Sequence, residues 1–394
     1  MTNRVPLLFL CVGHFLHHYA MMIFPTAVLA IHREWGAGYG ETLALGTASF
    51  VALAVGTLPA GWLGDRVPRS RLMLVYFLGL GVAAILAGLA TGPLAMVAAL
   101  ALLGLFAAIY HPVGIAAIVQ LTGGSGRALA VNGVFGNWGF AGAVLVTGVV
   151  AELFGWRWAF IAPGVASVAL GVMAALFMGR AADAVKKAAP RQGTEATEYR
   201  GAQWRVFAFV ACAAIFGGFI FNGVTSALPK LFEDQLGEAW GGDLAQIGMM
   251  AAIVFAIASL AQLPVGVLLD RVGARPIALT LVALQVPLLY LAGQAFGPAL
   301  AGVSLAALLL IFGEIPVTDW LIGRYVSGPW QSRVLAVSYV GALGVSAAVL
   351  PTIALLYEMT AGFGTIFALL AASAAIVWLA AVFLPAWRSR AVGA

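Results

Sequence analysis

The chain has 394 residues, of which 63% are apolar and only 9% are Asp, Glu, Lys or Arg. A soluble domain carries roughly 25% charged residues, so this composition cannot cover a water-facing surface. It excludes a soluble multidomain enzyme, a nucleic-acid-binding protein and a disordered chain, and the formal net charge of +5 has to be read from where the basic residues lie.

A membrane-spanning helix needs about 20 predominantly apolar residues. Twelve segments qualify: 6–31, 42–64, 72–91, 94–119, 128–151, 158–178, 204–229, 244–269, 277–295, 298–323, 334–357 and 362–385. The first follows Arg4 in the manner of a signal sequence. It runs on past His14, His17 and His18 with no small-residue cleavage site after a short core, so it is expected to be retained as a span. Most breaks are short, such as Gly36-Ala37-Gly38, Thr91-Gly92-Pro93 and Gly297-Pro298. Only 180–203 is long and polar, with Lys186, Lys187, Arg191, Glu195, Glu198 and Arg200. The expected organisation is an all-α membrane protein of two six-helix halves, 1–179 and 204–394, joined by a cytoplasmic linker at 180–203. Cys11 and Cys212 sit in apolar runs and supply neither a disulfide framework nor metal spacing.

Orientation follows from Lys and Arg, which concentrate on the cytoplasmic side. With the N-terminus inside and sides alternating, 17 basic residues fall inside and only Arg33, Arg157 and Lys230 outside. Both termini are therefore expected in the cytoplasm, and the basic balance is a topology signal. Arg greatly outnumbers Lys, and Ala and Gly are abundant, so a bacterial inner membrane is expected.

The halves carry an internal repeat. Leu58-Pro59-Ala60-Gly61-Trp62-Leu63-Gly64-Asp65-Arg66-Val67 matches Leu263-Pro264-Val265-Gly266-Val267-Leu268-Leu269-Asp270-Arg271-Val272 at seven of ten positions, 205 residues on. Arg127-Ala128-Leu129-Ala130-Val131 matches Arg333-Val334-Leu335-Ala336-Val337 at an offset of 206, and Tyr110-His111-Pro112-Val113 aligns with Glu314-Ile315-Pro316-Val317 at 204. Repeats of this kind place a substrate site between the halves near the membrane midplane.

Gly61-Trp62-Leu63-Gly64-Asp65-Arg66 with Arg69 and Arg71 resembles the loop 2–3 signature of the major facilitator superfamily, and Gly266 to Arg271 with Gly273 and Arg275 its second-half copy. Gly155-Trp156-Arg157-Trp158-Ala159-Phe160 resembles a phrase common at that family's sixth helix. The resemblance covers the whole chain and implies a rocker-switch transporter with helices 1, 4, 7 and 10 around a cavity. There are two departures. The fourth segment has no Arg, and Gly136-Asn137-Trp138-Gly139-Phe140-Ala141-Gly142 lacks the Gly-Pro of the drug-antiporter signature. His14-Phe15 and Tyr110-His111-Pro112 resemble the fosmidomycin-resistance-type branch.

The scarce polar residues inside the spans are the candidate site. His14, His17, His18, Met21 and Pro25 share one helical stripe, and a polar stripe in lipid should face protein or a water-filled cavity. Histidine takes up a proton near neutral pH, so His14, His17 and His18 are candidates for substrate binding or proton coupling. Glu314 and Asp319 are the acids well inside a span. Glu314 near mid-membrane suits a proton carrier, and Asp319 suits an ion pair with Arg324. Tyr110, the repeat counterpart of Glu314, together with His111 and Asn222, completes the candidate set. Asn132, Asn137 and Gln285 are expected to bond between helices. Asp65, Arg66, Arg69, Asp270, Arg271 and Arg275 are expected to gate, by contacts that hold one access state and break in the other.

The expected function is secondary transport of a small solute by alternating access, coupled to protons, by a monomer in the lipid bilayer. No cofactor, nucleic acid or resident metal is called for. The absence of a Gly-x-x-x-x-Gly-Lys-Ser/Thr loop, His-Glu-x-x-His, Gly-x-Ser-x-Gly and Cys-x-x-Cys argues against an enzyme or ATP-driven pump. Two alternatives stay open. The pairs His17/Met21 and His18/Met22 suit copper(I) and a metal importer, and a sensor built on a transporter fold is the reading from another class.

Overall fold

The computed structural model describes residues 4–122, 126–178, 203–236, 243–325 and 329–386. Every regular element among them is helical, as apolar surroundings require. A bilayer core supplies no water to an unpaired amide, and a helix satisfies its own. The spans are α1 (Val5–Trp35), α2 (Tyr39–Gly64), α3 (Arg69–Gly88), α4 (Pro93–Thr122), α5 (Val131–Phe154), α6 (Trp156–Leu176), α7 (Gln203–Leu236), α8 (Leu244–Val272), α9 (Ala274–Ala292), α10 (Pro298–Ile322) and α12 (Gly364–Val382). These are eleven helices long and apolar enough to cross a membrane. The remaining expected span, 334–357, lies in helix α11 (Pro329–Thr360), whose portion Gly344–Thr360 is apolar. Apart from Gln203, which opens α7, the expected linker at 180–203 lies outside the described residues, as does the side chain of Asp319.

The spans match the sequence reading to within a few residues, with one extension. Helix α7 continues to Leu236, seven residues past its apolar run. Lys230 lies between Glu233 and Asp234 one turn on and bonds both, Asp234 at 2.8 Å. This i,i+3 and i,i+4 pairing holds the polar turn in the helix. At Gly36, just past α1, the backbone turns with φ of +64°, a conformation that ends helices at little cost for glycine.

Helix packing repeats with the sequence. Helix α1 packs on α5 as α7 packs on α11; α2 on α4 as α8 on α10; α3 on α6 as α9 on α12. The halves meet through α2 with α11 and α5 with α8, which exchange under the same repeat. Large apolar side chains such as Val55, Leu94, Leu176 and Met359 are exposed, an outer surface suited to lipid.

The contacts between halves are tightest at one end. A Cβ on Gly148 of α5 would lie 2.3 Å from the Leu244 carbonyl oxygen, and one on Gly248 of α8 would lie 2.4 Å from that of Val144. Small residues permit this approach of two backbones. Gly248→Val is expected to force α5 and α8 apart at a cost of about 1–3 kcal/mol, read as a lower melting temperature in detergent. An unchanged melting temperature would show that the crossing is loosely packed.

Candidate functional site

Pro112 has no amide hydrogen and cannot close an ordinary helical bond. Around it α4 widens into a π-helical turn, Tyr110–Gly114, a feature common at functional sites. There α4 meets the histidine face of α1. Four imidazole rings gather, with centroids 5.0 Å apart for His14–His18, 5.2 Å for His14–His111, 4.8 Å for His17–His18 and 4.5 Å for His17–His111. His14 and His17 are buried, and His18 and His111 are half-buried.

Neighbouring helices hold these rings in place. His14 Nδ1 lies 2.9 Å from the Asn132 carbonyl oxygen of α5. A carbonyl only accepts, so Nδ1 carries the hydrogen and donates. His17 Nδ1 donates likewise to the Ala107 carbonyl at 3.1 Å. Tyr110 is fully buried and stacks on His14 at 4.9 Å. Its hydroxyl donates to the Leu10 carbonyl at 2.7 Å and accepts from Asn132 Nδ2 at 2.7 Å. Tyr110 therefore ties α1, α4 and α5 together behind the histidines. Gly136 leaves room for this, since a Cβ there would stand 2.6 Å from His14 Cε1.

Glu314 occupies the equivalent place in the second half. It is buried on α10, and its Oε2 accepts from Gln285 Nε2 of α9 at 2.8 Å. A Cβ on Gly217 of α7 would lie 3.8 Å from Glu314 Oε1, as one on Gly13 of α1 would lie 2.9 Å from the Tyr110 ring. Both members of the second pair follow the first by 204 positions, so the repeat extends to a side-chain contact. Gly217 closes a second π-helical turn, Ala213–Gly217. Among the described residues no basic side chain is ion-paired with Glu314. Asn222 donates to the Gly218 carbonyl at 2.9 Å and to Ser346 Oγ at 3.2 Å, which ties α7 to α11. The expected pair Asp319–Arg324 lies outside the described side chains.

Phe140 of α5 links the two regions. It stacks on His18 at 4.5 Å and meets Phe221 of α7 at 5.2 Å and Phe312 of α10 at 6.4 Å. From this level to one end of the bundle the halves are joined. Arg33 of α1 pairs with Glu233 of α7. The Gly40 amide of α2 donates to Glu358 of α11 at 2.8 Å, and the Leu244 amide of α8 to Glu152 of α5 at 3.1 Å. Tyr39 meets Tyr357 edge-on at 4.8 Å, with Lys230 Nζ 5.2 Å above the Tyr39 ring.

The family model of the Major Facilitator Superfamily matches residues 10–239, more than half of the chain. The chain belongs to the major facilitator superfamily. It is an integral membrane protein of a family of transporters. It is similar to two crystal structures of a bacterial homolog of the human lysosomal transporter Spinster. One is inward-facing and occupied, with a TM-score of 0.72, 14% identity and coverage of 97% of this chain and 96% of that one. The other is inward-facing and unoccupied, with a TM-score of 0.71, 14% identity and coverage of 98% and 99%. The puromycin resistance protein pur8 of Streptomyces alboniger is 33% identical over 135 residues. That match spans 34% of this chain and about a quarter, 27%, of the relative's own length.

The superfamily's loop residues sit at the opposite end from the joined halves and make bonds within their own half. Arg66 donates to the Trp62 carbonyl, and Arg69 to the Ala116 carbonyl and Gln120 of α4. Asp270 accepts from Trp320 Nε1 at 3.0 Å, and Arg275 donates to the Val382 carbonyl at 3.1 Å. Asp65 and Arg271 are exposed. Met21 and Met22 lie in the buried apolar core, where they act as packing groups and do not favour the copper reading. The sequence reading missed the carboxylates Glu233, Asp234 and Glu358. The spacing Lys230-x-x-Glu233-Asp234 was the available signal, since it puts all three on one helix face.

Tyr110→Phe removes the hydroxyl bonded to both the Asn132 amide and the Leu10 carbonyl and leaves only the long 3.4 Å bond between those two groups. The expected cost is about 1–3 kcal/mol, seen as a lower melting temperature in detergent, whereas Tyr290→Phe at an exposed tyrosine should change nothing. Equal melting of both variants would refute the tying role.

Proposed function

We propose that the chain transports a small organic solute across a bacterial inner membrane by alternating access, driven by protons, as a monomer with both termini in the cytoplasm. The end at which the halves are joined carries Arg33, Arg157 and Lys230, the three basic residues on the minority side of the charge count. By the positive-inside rule that end faces away from the cytoplasm. Among the described residues the bonds between halves lie on that side of Phe140, which supports an inward-facing reading, and the Spinster homolog structures are inward-facing as well.

Glu314 carries the coupling reading. A buried carboxyl inside a span, held by a neutral amide with no described counter-ion, can exist protonated, and losing that proton to a cavity favours a different arrangement of α7 and α10. His17, His18 and His111 are the proton-accepting partners across the Phe140 cluster, with His14 and Tyr110 positioning them. Asn222 shapes the solute side of α7. Asp319 supports the cytoplasmic end of α10. The loops with Asp65, Arg66, Arg69, Asp270, Arg271 and Arg275 form the gate that pairs across the halves when the cytoplasmic end closes.

Puromycin is the first solute to test, given the resistance named for the pur8 relative. In proteoliposomes holding a pH gradient, puromycin is expected to discharge the gradient with the native protein and not with Glu314→Gln. Puromycin exchange at equal pH should persist in that variant. A Glu314→Gln protein that still couples protons to puromycin would remove Glu314 from the mechanism.

The joined end gives a second test. Glu233 receives both Arg33 and Lys230, so Glu233→Gln weakens the contact between α1 and α7. A cysteine at Tyr39, fully reacted only when this end opens, should be labelled several-fold faster by a membrane-impermeant maleimide in the Glu233→Gln background. Equal labelling would mean that this ion pair does not hold the inward-facing state.

A further inference from the structure

We infer that His14, His18 and His111 form a three-nitrogen site for a late first-row divalent cation of the zinc, cobalt or nickel class, with a fourth position open to a non-protein ligand. One ring nitrogen from each residue lies within 4.8 Å of the other two. Around a tetrahedral ion at about 2.1 Å, three nitrogens stand about 3.4 Å apart, which modest side-chain rotation reaches from the observed arrangement. His14 and His18 are four residues apart on α1, the spacing that sets two imidazoles one above the other on a helix. His111 comes across from the π-helical turn of α4.

A second observation concerns the lone pair. His14 Nε2 is buried and has no hydrogen-bond partner among the described residues. Its Nδ1–H is committed to the Asn132 carbonyl, so Nε2 is the nitrogen of His14 left with a free lone pair for an ion. Metal-bound histidine shows this arrangement, with the distal N–H on a backbone carbonyl fixing tautomer and ring plane. Tyr110 stacked on His14 and Phe140 stacked on His18 limit both rings further. Leaving a buried imidazole nitrogen without a partner costs stability, and a bound cation supplies the partner.

The donor chemistry selects the ion. Three neutral imidazoles suit zinc, cobalt, nickel and copper and disfavour magnesium and calcium, which take oxygen ligands. Three neutral ligands leave two positive charges uncompensated inside a span, so the fourth ligand is expected to be an anion. His18 and His111 are half-buried, and His18 stacks on Phe140 between the halves, the side from which that anion is expected. All three ligands belong to the first half, so the site moves with that half as a unit. The proposal leaves the coupling role of Glu314 unchanged, and it makes the cation compete with the proton for the one lone pair that His18 and His111 each have to give.

The test uses the full-length protein in detergent with any affinity tag removed. Cobalt(II) is expected to bind at one equivalent and give the intense visible bands of tetrahedral cobalt, displaced by zinc and unaffected by magnesium. His18→Ala and His111→Ala should each weaken binding about tenfold or more, and His32→Ala should not. His111→Cys keeps a donor and should add a thiolate-to-cobalt charge-transfer band, which reports the site even if an alanine variant folds poorly. Azide should shift the visible bands by taking the fourth position. Native protein that takes up no cobalt, His111→Cys protein without the charge-transfer band, or alanine variants that bind as the native protein does would each overturn the site. Bands that azide leaves unmoved would overturn the open position.

Discussion

The interior of a bilayer offers no hydrogen-bond partner, and each polar group placed there must find one in the chain. That constraint accounts for most of what is polar in this protein. Tyr76 donates to the Gly13 carbonyl, Ser167 to the Phe77 carbonyl and Tyr110 to that of Leu10, each joining two helices. The basic residues on the side with few of them are answered by carboxylates: Arg33 by Glu233, Arg157 by Glu34, and Lys230 by Glu233 and Asp234. Among the described residues some buried polar atoms still lack a partner, such as His14 Nε2, Thr147 Oγ1, Gln285 Oε1 and Ser304 Oγ, and the carboxyl of Glu314 is held only by an amide.

The repeat makes the chemistry asymmetric in a useful way. Gly13 against Tyr110 and Gly217 against Glu314 are one contact used twice. In the first half it supports a cluster of imidazoles, and in the second it lies beside a single acid. Phe140, in contact with His18, Phe221 and Phe312, is where the two environments meet. Two parts with the same packing and different ionisable groups present chemically different surroundings at equivalent places.

Much of the architecture was legible in advance because it rests on local rules. Span edges follow apolar runs, and the predicted 72–91 and 298–323 appear as Arg69–Gly88 and Pro298–Ile322. Asn132 and Gln285 were expected to bond between helices and do so, because an amide inside a span has little else to do. The identity of their partners was not legible. That Gln285 reaches Glu314, or that the Asn132 carbonyl receives His14, depends on the rotation of α9 against α10 and of α5 against α1, and no periodicity encodes rotation. The cross-half pair of Arg33 with Glu233 was hidden for the same reason, since the two residues lie 200 positions apart.

The sequence by itself determined that this is a membrane protein and where its apolar helices run. Each of these follows from transfer of residues into lipid, a property of one segment at a time. Only the tertiary structure decided which helices cross closely enough to need Gly148 and Gly248, which end of the bundle is joined, and that His111 meets His14 and His18 while Met21 and Met22 pack into the core. Those outcomes depend on how helix faces match across the bundle, and the match exists only once the helices are packed.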